Sequence, residues 1–148
     1  MLSLLKVSAS FGISRKLIAD ISAGHEAILE NVFSGVYKPA GGFFLRTEYG
    51  LFHPFPDLLL LAIVFRKLKM QPLEACIDLG GGDGRVSSLM RALGFEVTYA
   101  EGDARFCAVF DQARERLGAV INYSNLQIIK GDFLNFRIRK FFIVCLMD

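Results

Sequence analysis

Cys76-Ile77-Asp78-Leu79-Gly80-Gly81-Gly82-Asp83-Gly84-Arg85 is the stretch that decides the fold of this chain. Strand-compatible residues run to Leu79, four glycines follow with one aspartate among them, and a helical pattern then begins. A buried strand that breaks into a glycine turn and re-forms as a helix lets a ligand approach the backbone closely. Two carboxylates, Asp78 and Asp83, stand inside this turn, and their charge governs what the turn can hold.

Downstream, Val86, Leu89, Met90 and Leu93 fall at i, i+3, i+4 and i+7, which predicts a helix stopped by Gly94. Residues 95–100 read as a short strand. Asp103 stands at an N-cap position before a helix whose stripe is Phe106, Val109, Phe110, Ala113 and Leu117, ending at Gly118. Residues 126–130 and 141–147 predict a third and a fourth strand. Strands alternating with helices of 10–15 residues signify βαβ units and a parallel sheet.

Upstream, Leu17, Ile18, Ile21, Ile28 and Val32 predict a helix over 14–34. Residues 35–56 form a Gly-, Pro- and aromatic-rich connection, and 57–70 read as a second helix. That helix carries Asp57 in its first turn and Arg66, Lys67 and Lys69 in its last, as the helix dipole favours. Its residues 58–65 are apolar all round, so burial against the sheet is expected. The chain divides into an N-terminal helical and loop extension, 1–56, and a ligand-binding α/β region, 57–148.

Composition sets outer bounds. The 148 residues suffice for one domain and one core, and 53% of them are hydrophobic, with 14 phenylalanines. A net charge of +2 neither implies nor excludes nucleic acid. Cys76, Cys107 and Cys145 lie far apart without C-x-x-C spacing; they read as small buried apolar residues, and no metal is expected. The longest apolar run covers eight residues, against the ~20 a membrane span requires. The first nineteen residues hold Lys6, Arg15 and Lys16 but no acid, which leaves a mitochondrial address as the alternative to a cytoplasmic one.

The glycine turn resembles a dinucleotide cradle, but with Gly82 and Gly84 as the first pair the third glycine position falls on Ser87. Charge argues against a pyrophosphate more strongly. Like charges at ~4 Å in a partly dry site cost several kcal/mol, and Asp78 and Asp83 flank the place a phosphate would occupy. A ligand with positive charge reverses the sign, and S-adenosylmethionine carries a sulfonium and an ammonium group. Glu101, at the end of the second strand, is placed to accept hydrogen bonds from ribose hydroxyls. Asp132, after the third, is placed to accept from an adenine amino group, with Phe133 or Phe106 against the base. These positions all lie at carboxyl ends of strands, where open α/β sheets bind ligands.

Asp78-Leu79-Gly80-Gly81-Gly82-Asp83-Gly84, Glu101-x-Asp103 and Gly131-Asp132 resemble the cofactor-binding motifs of class I S-adenosylmethionine-dependent methyltransferases, over about residues 55–148. The resemblance implies a Rossmann-like three-layer α/β/α fold with parallel strands in the order 3-2-1-4, preceded by N-terminal helices. Four of the family's seven strands are expected within this chain. It further implies Asp78 and Gly80 near the methionine part of the cofactor, Gly82 and Gly84 in the cradle, Glu101 at the ribose, and Asp132 and Phe133 at the adenine. The segment Glu48-Tyr49-Gly50-Leu51-Phe52-His53-Pro54-Phe55-Pro56 is similar to the approach to this motif in protein-lysine methyltransferases. A protein lysine is therefore the expected acceptor, with RNA or a small molecule as alternatives.

No residue is marked as a general base, and Asp148 has no assignable role. His25 and His53 read as packed residues, and Arg137, Arg139 and Lys140 as a solvated cluster. The fourth strand, 141–147, leaves an apolar edge open to a partner or a second copy. Two other readings remain: a non-catalytic cofactor-binding module that works through a partner, and a nucleotide-dependent oxidoreductase.

Overall fold

The structure is a computed structural model and describes residues 15–33, 38–40, 44–47, 50–52, 54–71, 74–131 and 142–144. Among the described residues, helix α1 (Arg15–Val32) comes first. Strands β1 (Lys38–Ala40), β2 (Phe44–Thr47) and β3 (Gly50–Phe52) follow, and then helix α2 (Pro54–Lys67). The remaining elements are β4 (Ala75–Leu79), α3 (Arg85–Ala92), β5 (Glu96–Glu101), α4 (Ala104–Leu117), β6 (Leu126–Lys130) and β7 (Phe142–Val144).

Strands β4 to β7 form one parallel sheet in the order β6-β5-β4-β7, so the strands expected as first to fourth lie in the expected order 3-2-1-4. The registers run Cys76 against Val97, Val97 against Leu126, and Cys76 against Phe142. Crossovers between parallel strands are right-handed, so two that step in the same direction place their helices on one face. Cys76 and Val97 bury on that face with Ile18 and Ile21 of α1, Ala62 and Phe65 of α2, Leu89 and Met90 of α3, and Leu117 of α4. The alternation of side chains carries Asp78, Tyr99 and Glu101 to this same helix-covered face. They stand there at the carboxyl end of the sheet.

Two expectations need correction. Residues 35–56 include an antiparallel three-stranded meander, β1-β2-β3, with Lys38 opposite Arg46 and Thr47 opposite Gly50. Its strands of three and four residues are too short to show alternation, and Pro39 sits in β1, an edge strand, where a missing donor costs no ladder bond. Helix α2 starts at Pro54 and takes Pro54 and Pro56 into its first turn, where proline is tolerated. It is also not buried all round: Ala62 and Phe65 pack inward, whereas Leu60 and Val64 face solvent, as does Leu68 just beyond the helix. It packs against α1 and α3, and one face suffices for that.

Candidate functional site

The glycine turn is held from beneath by β5. Gly80 N and Gly81 N both donate to Ala100 O, at 2.9 and 3.0 Å. Gly82 N donates to Glu101 Oε2 at 2.8 Å, and Gly82 O accepts from the Tyr99 hydroxyl at 2.6 Å. Gly80 and Gly82 adopt left-handed torsions, φ 68° and 52°, and a Cβ at either would meet nothing within 4 Å. Their outer side is open. A Cβ at Gly81 would strike the Tyr99 ring at 2.6 Å, and one at Gly84 the Phe110 ring at 2.1 Å. The turn thus has two open glycines and two that are closed by aromatic rings beneath them.

The two carboxylates differ in state. Asp78 is 3% exposed and accepts from the Ser87 hydroxyl at 2.6 Å. Burial raises its pKa to about 7; the Ser87 hydrogen bonds oppose this, and the charges of Asp83 and Glu101 add to it. Burial also works against the charge of Asp83, but the Arg85 guanidinium outweighs it and holds that carboxyl below its usual range, with help from His25. Arg85 donates to Asp83 Oδ2 from Nε at 2.7 Å and also from a terminal nitrogen, while Arg85 N donates to Asp83 Oδ1 at 3.1 Å. The charge that counts against a phosphate in the sequence is therefore neutralised within the protein. Among the described residues, Asp78 and Glu101 are the carboxyls that stand beside the turn without an arginine on them. The N-cap of α3 is Gly84, without a side-chain cap, and Asp83 serves that helix end from one position earlier.

Glu101 is buried, and both of its oxygens are engaged: Oε2 by Gly82 N, and Oε1 by Asp103 N at 2.7 Å. A carboxylate offers about four lone-pair sites, so each oxygen keeps one for a ligand. Asp103 caps α4 as expected, accepting from Arg105 N at 2.8 Å. Loss of a capping carboxylate costs about 1 kcal/mol. Asp103→Ala is expected to lower the urea midpoint correspondingly while leaving cofactor affinity nearly unchanged.

Asp132 and Phe133 lie outside the described residues, as does His53. Phe106 packs against Phe33, with ring centroids 4.9 Å apart, so its ring is engaged with the end of α1. His25 is fully buried, its Nδ1 2.7 Å from Ile21 O; burial, above all, holds its pKa below the usual value. Tyr99 was not among the expected site residues, because a tyrosine within a strand reads as core. The signal available was its place two residues before Glu101 on the same face. A cavity of about 360 Å³ lined by Ala75, Glu96, Thr98, Asn125 and Gln127 opens at the amino end of the strands, away from the glycine turn.

The residues fit an adenosyl ligand. Gly80 and Gly82 present bare backbone, Glu101 offers paired acceptors for a diol, and Asp78 offers a carboxyl that gains its charge near neutrality. Among the described residues, no group of three or more His, Cys, Asp and Glu side chains is arranged to hold a metal, and no helix is long and apolar enough to cross a membrane. Cys76 and Cys107 are free and buried.

Neither a family model nor a curated protein matches this sequence. Solved structures do share its fold. A Pyrococcus horikoshii protein assigned as an RNA methyltransferase superposes with a TM-score of 0.52 at 24% identity, over 62% of this chain and 45% of its own. A protein of Methanococcus maripaludis assigned as an S-adenosylmethionine-dependent methyltransferase gives 0.51 at 15% identity, over 84% and 48%. Coclaurine N-methyltransferase bound to N-methylheliamine and S-adenosylhomocysteine gives 0.50 at 14%, over 97% and 46%. The fold is the Rossmann-like fold of class I S-adenosylmethionine-dependent methyltransferases, and the chain spans just under half the length of these proteins.

Proposed function

We propose that this chain is the cofactor-binding part of an S-adenosylmethionine-dependent methyltransferase whose acceptor is a lysine side chain of a protein. The observation that carries the first half is the junction of Glu101 with the glycine turn. One carboxylate is fixed by Gly82 N and Asp103 N, next to two left-handed glycines whose open sides face away from the protein. In this reading Glu101 binds the ribose, Asp78 and Gly80 border the methionine part, and Gly82 and Gly84 shape the cradle. Asp132 and Phe133 take the adenine by the resemblance of their motif. When bound, the cofactor supplies a methyl group on a positively charged sulfur. The chain's own part is to bind, orient and exclude water, since holding two reactants in line removes much of the barrier to transfer.

The lysine acceptor is supported by the similarity of residues 48–56 to the approach segment of protein-lysine methyltransferases. RNA and small molecules are the competing acceptors, and an edge partner at 141–147 belongs to the same proposal. Calorimetry on the full chain with S-adenosylmethionine and with NAD tests the cofactor; binding of NAD alone would overturn the reading. Incubation with methyl-labelled cofactor and cell extract tests the acceptor. Label on lysine supports the proposal, label on RNA or small molecules replaces the acceptor, and cofactor binding without transfer leaves a binding module. Glu101→Ala is expected to weaken cofactor binding by roughly 1–3 kcal/mol through lost charge-assisted hydrogen bonds, and unchanged affinity would remove Glu101 from the site.

A further inference from the structure

We propose that Tyr99 is a positioning residue for the cofactor: by fixing the peptide between Gly82 and Asp83 it turns the Asp83 N–H toward the ligand. The inference rests on the cofactor reading above and assigns a residue to the same site. Tyr99 is fully buried beneath the turn, with its ring under Gly81 and its hydroxyl donating to Gly82 O at 2.6 Å. Among the described residues this is the bond that draws Gly82 O down into the protein.

In a trans peptide the carbonyl and the following N–H point in opposite directions, and no described peptide is cis. With Gly82 O held inward by Tyr99, the Asp83 N–H is directed to the open side of the turn. No acceptor for that N–H is found among the described residues, whereas Gly80, Gly81, Gly82 and Gly84 all donate. Gly82 is clamped at both ends, its N–H on Glu101 and its carbonyl on Tyr99. Loss of the hydroxyl would free the peptide to rotate and would loosen the partner that orients Glu101. The phenol is suited to this as a permanent donor. Burial first, then the Cys107 thiol and the Glu101 and Asp78 carboxylates, push its ionisation far above the usual range. The neighbouring ring of Phe110, 4.3 Å away between centroids, fixes its plane.

The test uses the full chain and S-adenosylhomocysteine as probe. Tyr99→Phe removes one oxygen, and affinity is expected to fall roughly tenfold, the scale of one buried hydrogen bond. Replacement of Tyr99 by p-aminophenylalanine restores a donor and should recover most of the loss, which a role limited to packing of the ring would not predict. In the wild-type chain, amide exchange at Asp83 should slow on ligand binding, and in Tyr99→Phe it should not. Affinity equal to wild type in Tyr99→Phe, no recovery with the amino variant, or unaltered exchange at Asp83 in liganded wild type would each overturn the inference while leaving the cofactor reading standing. Failure of the wild-type chain to bind the probe would instead overturn the cofactor reading, and this inference with it.

Discussion

Gly84→Ala is expected to lose about 2–5 kcal/mol of stability, a large part of the roughly 5–15 kcal/mol that holds an ordinary domain folded. Two costs add. The backbone at Gly84 has φ 79°, a left-handed torsion that charges a side-chain-bearing residue roughly 1–2 kcal/mol. The new methyl would also lie 2.1 Å from Phe110 Cδ2 and 2.3 Å from Cγ. Those atoms belong to the base of a fully buried ring that touches Tyr99 on one side and Tyr123 on another. With Phe110 buried between these rings, the ring or α4 itself must shift, and overpacking of this kind costs roughly 1–3 kcal/mol.

Gly80→Ala and Gly82→Ala provide the contrast. Each meets the torsional cost but no clash, so both variants should fold and show their defect in cofactor affinity, where a methyl now fills the open side. Urea denaturation of the three alanine variants separates the two kinds of glycine. A Gly84→Ala chain within 1 kcal/mol of wild type would mean that the Phe110 ring is free to leave its place.

The glycine spacing, the stripes of α3 and α4 and the Asp103 cap were legible because each is a local pattern with a single physical solution. The order of the parallel strands came from the resemblance of the glycine motif and the later acids to a known family, because right-handed crossovers fix the face on which each helix lies and not the order of the strands. The meander of β1 to β3 was not legible, since three- and four-residue strands leave too few positions for an alternation to appear. The exposed Leu60 and Val64 were missed for a different reason. An apolar run shows that a helix has an inner face, but it cannot show that the other face stays uncovered. Within the site, the charge of Asp83 was read correctly as present and wrongly as available. Arg85 lies only two positions on, and the turn that brings its guanidinium back onto Asp83 exists only in three dimensions. Glu101 stands out in the sequence because it ends a strand, and its carboxylate accepts from Gly82 N, whereas Tyr99 does not stand out because its hydroxyl finds a partner 17 positions away.

Asp78 carries the second large expectation, in which stability and binding move in opposite directions with pH. Its carboxyl titrates near 7 in the folded chain against an ordinary 3.8, with burial as the leading cause. Between these two values the folded state holds a proton that the unfolded state has released, so stability must fall as pH rises through the window and level off above it. A shift of this size corresponds to about 4 kcal/mol in full. Asp78→Asn keeps an oxygen for the Ser87 hydroxyl and removes the buried charge. Its stability should lack the decline between pH 4 and 7 and should exceed wild type at pH 8, as urea denaturation across that range would show. Cofactor binding should respond in the opposite sense. A cationic ligand requires the ionised carboxylate, so wild-type affinity for S-adenosylmethionine should rise about tenfold per pH unit up to 7, roughly 100-fold from pH 5, and then flatten. Asp78→Asn should bind weakly at pH 8 and show no such slope in calorimetry. A wild-type affinity that stays constant from pH 5 to 8 would separate Asp78 from the ligand's charge. A rising one would identify the destabilisation stored in this carboxyl as what the sulfonium and ammonium groups relieve on binding, by restoring in the site the solvation that burial removed.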